Sequence, residues 1–279
     1  GEWEEADSQK VAAILGVEPK VAHLLPLDEQ EQRALFANEF PAESFDTFSA
    51  QVHKFDLHHL LGNPEFLKLF AAAYLESGRS FEDRHSIFED AVKHLANEAN
   101  KAVPQRNAPT RADKILWADE IFAKLMLSGA DGVSIAGTSD ERRYPQLAAL
   151  GAKARDIHAI LDTKLFKPAR TEGQHEPVHR IVAEYCAARQ LNRLIADTTS
   201  KFSARQCMSI IAPNGVTRDE LRGLLGWLAA SGSQQVQDLA IATDPYAVLA
   251  NGDPSLLTPR SKKQLIEGLL KLEGVDPYF

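Results

Sequence analysis

Cysteine and long apolar runs are both scarce in this sequence. Cys186 and Cys207 are the only cysteines in 279 residues, too few for a disulfide framework. No apolar run approaches the roughly 18 residues that a membrane-spanning helix needs. The chain opens on an acidic stretch (Glu2, Glu4, Glu5), whereas a secretory signal is basic and then apolar. We therefore expect a cytoplasmic protein with no membrane partner.

The motifs that mark self-sufficient nucleotide-binding and hydrolytic enzymes are also absent. The sequence contains no G-x-x-x-x-G-K-[ST] phosphate loop, no G-x-S-x-G nucleophile turn and no G-x-G-x-x-G dinucleotide turn. The formal net charge of −8 disfavours binding to nucleic acid, which depends on neutralising phosphates with Lys and Arg. We expect no catalysis by this chain alone, and no cofactor bound by this chain alone.

What the sequence does contain is the composition of an ordinary globular protein. Hydrophobic residues make up 44% and charged residues 25%, as in folded domains rather than disordered or fibrous chains. The length predicts about two domains. The sequence begins at Gly1 without an initiator Met, and we expect it to be part of a longer protein.

Helix-start signals recur along the whole chain and predict a mostly α-helical fold. Each combines a capping residue or a first-turn proline with apolar residues that follow at spacings of three and four. An amphipathic stripe without a marked start runs through Phe45, Phe48, Val52 and Phe55. The predicted starts are Asp28-x-x-Glu31, Asn63-Pro64, Ser80-x-x-Asp83, Thr110, Thr217-x-x-Glu220 and Thr258-Pro259.

Two interruptions divide the helical pattern. The loop Val103–Pro109 is a candidate domain boundary, because its prolines and polar residues oppose a regular element. Between Thr163 and Arg180 an apolar end, a polar tip containing Gly173 and a returning segment predict a small β-hairpin. We expect a helical stretch around 147–161 before this hairpin and a further helix from Arg180 after it.

The last third of the chain predicts stacked helical pairs. Helices that begin near Thr217 and Thr258 have similar lengths and apolar patterns, and the turn Asn251–Asp253 lies between them. Such similarity is typical of helical-repeat arrays, in which each pair packs on the next. The predicted buried positions are Leu221, Leu224, Leu225 and Leu228 in the first helix, and Leu265, Ile266, Leu269 and Leu270 in the second.

One segment matches the zinc-protease string H-E-x-x-H. It runs from His175 through Glu176 to His179. That chemistry needs both imidazoles one helical turn apart on one face, with the carboxylate beside a metal-bound water. Pro177 stands between the histidines, where it removes a backbone donor and opposes a helix. We therefore rank a zinc peptidase last among the candidate functions and predict no metal site.

The other histidines, the cysteines and the tryptophans have ordinary structural explanations. His58 and His59 are adjacent, so on a helix they face different ways and do not converge with His53 on one ion. Cys186 falls on an apolar helical stripe and is expected to be a small core residue. Trp227 is likewise expected in the core. None of these residues predicts a catalytic site.

Several phrases, taken in chain order, resemble the region that follows the ATPase core in bacterial NACHT-type signal-transducing NTPases, the STAND class. The resemblance covers nearly the whole chain, and its specificity comes from the order and spacing of the phrases. They are Glu2-Trp3, Leu24-Leu-Pro-Leu27, Gly62-Asn-Pro-Glu-Phe-Leu-Lys-Leu69, the helix from Arg84 to Glu98, and Leu165-Phe166 followed by His179-Arg-Ile-Val-Ala-Glu-Tyr-Cys-Ala-Ala188.

The resemblance implies a mostly α fold made of four regions. Residues 1–27 would be the tail of the nucleotide-binding domain and a linker, and 28–109 a helical domain. Residues 110–199 would be a winged-helix domain that contains the small β-hairpin. Residues 200–279 would begin a solenoid-like helical-repeat sensor. The fold class expected is thus a helical bundle plus a winged-helix domain, followed by helical repeats.

The resemblance also implies two nucleotide-binding residues. Pro64 would pack on the adenine in the closed state, and His179 would reach the β-phosphate of ADP. An imidazole suits this role because it can donate a hydrogen bond to phosphate and can carry charge beside an anion. The phosphate loop, the acidic Mg²⁺ site and the arginine sensor would lie upstream in the parent protein, which would bind ADP or ATP with Mg²⁺. An extra Pro177 just before His179 departs from the family pattern and would shift the reach of this histidine.

The expected function is that of a conformational switch. The chain would close over ADP and release it when a trigger binds. By analogy with bacterial members of this class, the protein would act in antiviral defence. Its partners would be the upstream nucleotide-binding domain and a protein trigger on the helical repeats, with oligomerisation on activation. The alternative from another class is a stand-alone helical adaptor that binds a protein and no nucleotide. A phosphate loop encoded upstream of Gly1 would decide between the two.

Overall fold

The computed structural model describes residues 12–14, 16, 25–96, 109–136, 140–151 and 159–272, and these are mostly helical, as predicted. The predictions for Trp3, for most of the loop 103–109 and for the centre of the stretch 147–161 lie outside the described residues. The described helices are α1 (Glu29–Glu39), α2 (Phe45–Lys54), α3 (Pro64–Glu76), α4 (Arg84–Leu95), α5 (Arg111–Ser128), α6 (Arg180–Ala196), α7 (Ala204–Ile211), α8 (Arg222–Ser231), α9 (Gln234–Thr243), α10 (Pro245–Asn251) and α11 (Pro259–Leu272). The strands are β1 (Val133–Ser134), β2 (Phe166–Pro168) and β3 (Gln174–Pro177).

Capping hydrogen bonds confirm several of the predicted helix starts. The Asp28 carboxylate accepts a hydrogen bond from the Glu31 backbone N–H at 2.9 Å, in a reciprocal capping box. Thr110 and Asp113 form the same arrangement at the start of α5, where the Thr110 hydroxyl accepts from the Asp113 N–H at 3.1 Å. Helix α11 begins at Pro259, as the sequence predicts. These starts could be predicted because their hydrogen bonds join residues only three apart.

The predicted start at Ser80 is wrong. Helix α4 begins at Arg84, and its N-cap is Asp83, whose carboxylate accepts the Ser86 N–H at 2.7 Å. Both Ser80 and Asp83 are good capping residues, but only Asp83 has a serine three residues later that bonds back to its own N–H.

The predicted start at Thr217 is also wrong. Helix α8 begins at Arg222, after a 3₁₀ turn over Asp219–Leu221. The Thr217 hydroxyl is buried and, within the described part of the chain, has no hydrogen-bond partner, so it does not cap a helix. The turn places the start of the helix four residues later than the capping pattern indicated.

The predicted β-hairpin is confirmed and is part of a larger sheet. Strands β2 and β3 pair antiparallel, and β1 adds to the other edge of β3 to give the order β1-β3-β2. β1 was not predicted, because two residues are too short to show alternation. Gly132 precedes β1, and a Cβ there would overlap the carbonyl oxygen of His175, so the close approach requires glycine. The register pairs Phe166 with Pro177, Lys167 with Glu176 and Pro168 with His175.

The chain divides into two compact units, residues 1–71 and 72–279. In the first unit, the core contains Phe36 and Phe48, whose rings stack with centroids 4.9 Å apart. This division falls within α3 rather than at the predicted boundaries 28, 110 and 200, and those boundaries stay predictions.

The second unit has an aromatic centre. Phe88 on α4, Tyr185 on α6 and Trp227 on α8 are buried in mutual ring contact, with centroids 4.9 to 5.7 Å apart. Cys186 is fully buried beside them on α6, as predicted for a core residue. Three helices that the resemblance assigns to different regions therefore share one core.

Some apolar positions predicted to be buried are exposed. Ile266 and Leu270 on α11 are 60% and 63% exposed, whereas Leu265 on the same helix is buried. Helices α8 to α11 do pack on one another, and the most extensive contact joins α8 to α10, which are not consecutive in the chain. The helical-repeat arrangement stays a prediction. No helix among the described residues has the length and apolar character needed to cross a membrane.

Candidate functional site

A pocket of about 450 Å³ opens where the sheet meets the start of α6. Strand β3 contributes Glu176, and the segment that follows it contributes His179 and the first residue of α6, Arg180. Lys167 from β2 and the end of α5 form other parts of the wall. The pocket therefore gathers residues from four separate segments of the second unit.

Strand register and two glycines position these residues. Lys167 lies directly opposite Glu176 in the β2–β3 pair, so both side chains stand on the same face of the sheet. Gly129 ends α5 in the left-handed conformation, with φ of 74°, which turns the chain so that Ala130 and the next residue reach the pocket. Gly132 then allows the close approach to β3.

Cationic side chains outnumber carboxylates in the pocket wall. Arg143, Lys167 and Arg180 join His179 there, against Asp131 and Glu176 as the acids. Arg143 is ion-paired with Asp131, which raises the pKa of the guanidinium further. Lys167 is exposed and, among the described residues, has no carboxylate within ion-pairing distance. Lys167 is thus the cation with least local compensation.

The Glu176 carboxylate accepts a hydrogen bond from the neighbouring phenol of Tyr144. The Tyr144 hydroxyl donates a hydrogen bond to Glu176 Oε1 at 2.6 Å. Burial, together with this carboxylate, raises the pKa of Tyr144 to about 12. Tyr144 is therefore protonated at neutral pH and holds Glu176 as an acceptor, which reduces the repulsion that this carboxylate exerts on an anion in the pocket.

His179 lies at the N-terminus of the long helix α6. It is the N-cap residue of α6, which has 17 residues, and its side chain is half-buried in the pocket wall. Within the described residues, the His179 side chain makes no capping hydrogen bond to the first turn of α6. The start of α6, which is the positive end of its helix dipole, thus borders the same pocket as the cations.

Pro64 has the helix-start position that the sequence predicts. It is the first residue of α3, and it is exposed. The preceding Asn63 accepts a hydrogen bond from the Glu65 N–H at 2.9 Å through its side chain. Pro64 belongs to the first compact unit and His179 to the second.

The H-E-x-x-H string does not have the geometry of a zinc site. His175 and Glu176 lie on strand β3, and His179 precedes α6, so the two imidazoles are not one helical turn apart. Pro177 ends the strand, opposite Phe166. Burial lowers the pKa of His175. Among the described residues, no three His, Cys, Asp or Glu side chains are grouped to hold a metal ion.

The histidine cluster of the first unit also lacks convergent geometry. His53 and His58 stack with centroids 4.4 Å apart and their planes nearly parallel, while His58 and His59 meet edge to face. Parallel rings direct their nitrogens sideways rather than towards one point between them. The rings of the adjacent His58 and His59 are nearly perpendicular, with centroids 5.9 Å apart.

Sequence patterns missed most of the pocket residues. Arg143, Tyr144, Lys167 and Arg180 come from segments that only the folded sheet brings together. One signal was available, because the hairpin predicted between Thr163 and Arg180 brings Lys167 and Glu176 onto adjacent strands. No comparable signal links Arg143 to this hairpin.

Comparison with known proteins adds no family to this description. No protein-family model matches the sequence. No curated protein matches it either.

Proposed function

We propose that this chain is the regulatory, conformational-switch portion of a STAND-type signal-transducing NTPase, and that the pocket at the start of α6 holds a phosphate of bound ADP. The observation that carries the proposal is the position of His179. The histidine to which the resemblance assigns the phosphate contact lies in the wall of a pocket rich in Arg and Lys, at the N-terminus of a long helix.

This combination suits a phosphate group. Backbone N–H groups at a helix N-terminus, guanidinium groups and an ammonium all stabilise phosphate oxygens. The histidine adds a donor whose protonation an anion favours. In the closed state, the upstream nucleotide-binding domain would supply the remaining contacts, and Pro64 would pack on the adenine. Nucleotide exchange would then shift the equilibrium between closed and open states by differential contacts.

Two further features support the regional assignment. A small antiparallel sheet beside α5 and α6 has the ingredients of a winged-helix domain. Exposed Ile266 and Leu270 on α11 suit a surface on which a protein trigger, or a further helix, packs. The same exposed residues favour the adaptor alternative, which assigns no role to the pocket. We assign the protein to the cytoplasm on the sequence arguments above, and antiviral defence on the resemblance.

The proposal predicts that this chain binds pyrophosphate and that Lys167→Ala weakens binding roughly tenfold, because a charge-assisted contact of about 1.5 kcal/mol is lost. Isothermal titration calorimetry measures the affinity. Lys164→Ala is the matched control, since Lys164 is exposed, lies three residues away and does not line the pocket.

Two results would count against the phosphate site. The first is no detectable pyrophosphate binding by the unaltered chain, which would favour the adaptor alternative. The second is an equal loss of affinity in Lys167→Ala and Lys164→Ala, which would show only a general effect of surface charge.

A further inference from the structure

Arg180 is shared between the pocket and a different part of the second unit. Its side chain lines the pocket. Its Nε donates a hydrogen bond to Glu184 Oε1 at 2.9 Å, one helical turn along α6. Its terminal nitrogen Nη2 donates to the backbone carbonyl of Glu220. One guanidinium thus joins the pocket, α6 and the turn before α8.

Glu184 is buried and is not among the residues that line the pocket. Its side chain is only 10% exposed, and burial raises the pKa of the carboxyl group while Arg180 opposes that effect. A Cβ at Gly223, the second residue of α8, would overlap the Glu184 carboxylate. The start of α8 therefore has room for this carboxylate only because residue 223 is glycine. The carboxylate depends on Arg180 for its charge compensation.

The turn before α8 is in contact with Arg180 and also with the segment that leads into the pocket. Its 3₁₀ hydrogen bond runs from the Leu221 N–H to the Arg218 carbonyl at 2.8 Å. The Arg218 guanidinium pairs with Glu220 at 2.6 Å. A Cβ at Gly129, the last residue of the α5 cap, would lie 3.5 Å from that guanidinium. Ala130, which follows Gly129, lines the pocket.

We propose that Arg180 couples occupancy of the pocket to the turn Arg218–Arg222, so that an anion in the pocket draws the guanidinium away from Glu184 and from the Glu220 carbonyl. The turn then loses a charge-assisted hydrogen bond and opens more often. The inference rests on the proposed phosphate site and adds the route by which its state reaches the first of the packed helices α8–α11. The coupling is reciprocal, so displacing the turn weakens the restraint on Arg180 and strengthens anion binding.

Hydrogen exchange of the turn amides measures the coupling. Saturating pyrophosphate is expected to speed exchange of the Leu221 and Arg222 amides roughly tenfold, the effect of losing one charge-assisted hydrogen bond of about 1.5 kcal/mol. The amides of α9 serve as an internal reference, because they lie outside the turn and the pocket. In Arg180→Gln, exchange at the turn is expected to be fast already and to change little when pyrophosphate is added.

A pair of charge-neutralising variants separates coupling from simple electrostatics. Glu184→Gln removes the carboxylate that competes for Arg180, and we expect pyrophosphate to bind roughly fivefold more tightly. Glu172→Gln removes one negative charge from the exposed tip of the hairpin that carries Lys167, but leaves the Arg180–Glu184 pair and the turn Arg218–Arg222 in place. It is expected to change the affinity much less.

The outcomes distinguish this coupling from the phosphate site itself. If pyrophosphate binds but the turn amides exchange at an unchanged or slower rate, the coupling is wrong and the phosphate site remains. Equal gains in affinity for Glu184→Gln and Glu172→Gln would also overturn the coupling, since they would reflect charge alone. If pyrophosphate does not bind at all, the proposed function fails first.

Discussion

Gly226→Ala is expected to lower the free energy of unfolding by about 3 kcal/mol, the upper part of the usual range for overpacking. A Cβ on Gly226, in α8, would lie 2.6 Å from the backbone nitrogen of Gly252 and 2.8 Å from the carbonyl carbon of Asn251. The approach is mutual, because a Cβ on Gly252 would lie 2.5 Å from the Gly226 oxygen. Both obstacles are backbone, so no rotamer change relieves them.

Urea denaturation followed by circular dichroism measures this cost. Gly268→Ala is the matched control, a helical glycine on α11 whose nearest atom to an added Cβ is a Pro245 side-chain carbon at 3.1 Å. There the gain in helix propensity, up to about 1 kcal/mol, offsets the tighter packing. If Gly226→Ala were no more costly than Gly268→Ala, helix α8 would not pack on the end of α10 as described.

Asp119→Ala is expected to cost about 3–5 kcal/mol, the range for removing one partner of a buried ion pair. Asp119 on α5 is fully buried, and its carboxylate accepts from Arg189 at 2.7 and 2.9 Å and from Arg193 at 2.6 Å. Without it, two cations would remain in a partly buried position between α5 and α6, side by side and without compensation.

An exposed ion pair on α11 provides the matched control. Glu267→Ala on α11 removes the partner of Lys263, and both side chains are largely exposed, so the unfolding free energy is expected to stay nearly the same. Asp119→Asn keeps the shape and loses the charge, and its cost should fall between the two. Urea denaturation followed by circular dichroism measures these costs. Similar urea midpoints for Asp119→Ala and Glu267→Ala would show that the ion pairs of Asp119 contribute little to stability.

Capping residues and apolar spacing predicted most of the secondary structure. They failed where contacts between distant segments determine which residues begin a helix or are buried. The caps at Asp28 and Thr110 depend on residues three positions away, and the structure confirms them. Ser80 and Asp83 are both suitable N-cap residues for α4. Asp83 is the N-cap in the structure, where its own N–H donates a hydrogen bond to the Ser86 hydroxyl. The apolar pattern of α11 predicts a helix face suitable for burial, but the pattern does not show whether another element packs on that face, and Ile266 and Leu270 are exposed.

The pocket shows the same limit. His179 could be singled out from the phrase that surrounds it, but the cations beside it could not. Lys167 reaches the pocket through strand register, and Arg143 through a segment between β1 and β2. Arg180 was assigned only as the first residue of a helix, although it contacts the pocket, Glu184 and the turn before α8. Such residues become visible only when tertiary contacts are known.

The rate of ADP release tests the central claim most directly, in the longer protein that we propose, with its phosphate loop upstream of this chain. We predict that His179→Ala speeds ADP release about ten- to a hundredfold, the equivalent of losing a charge-assisted hydrogen bond of roughly 1.5–3 kcal/mol. The melting temperature of the ADP-free protein should not change, because His179 lies outside the buried face of α6. Unchanged ADP release from a protein that melts several degrees lower would contradict the account and make His179 a purely structural residue.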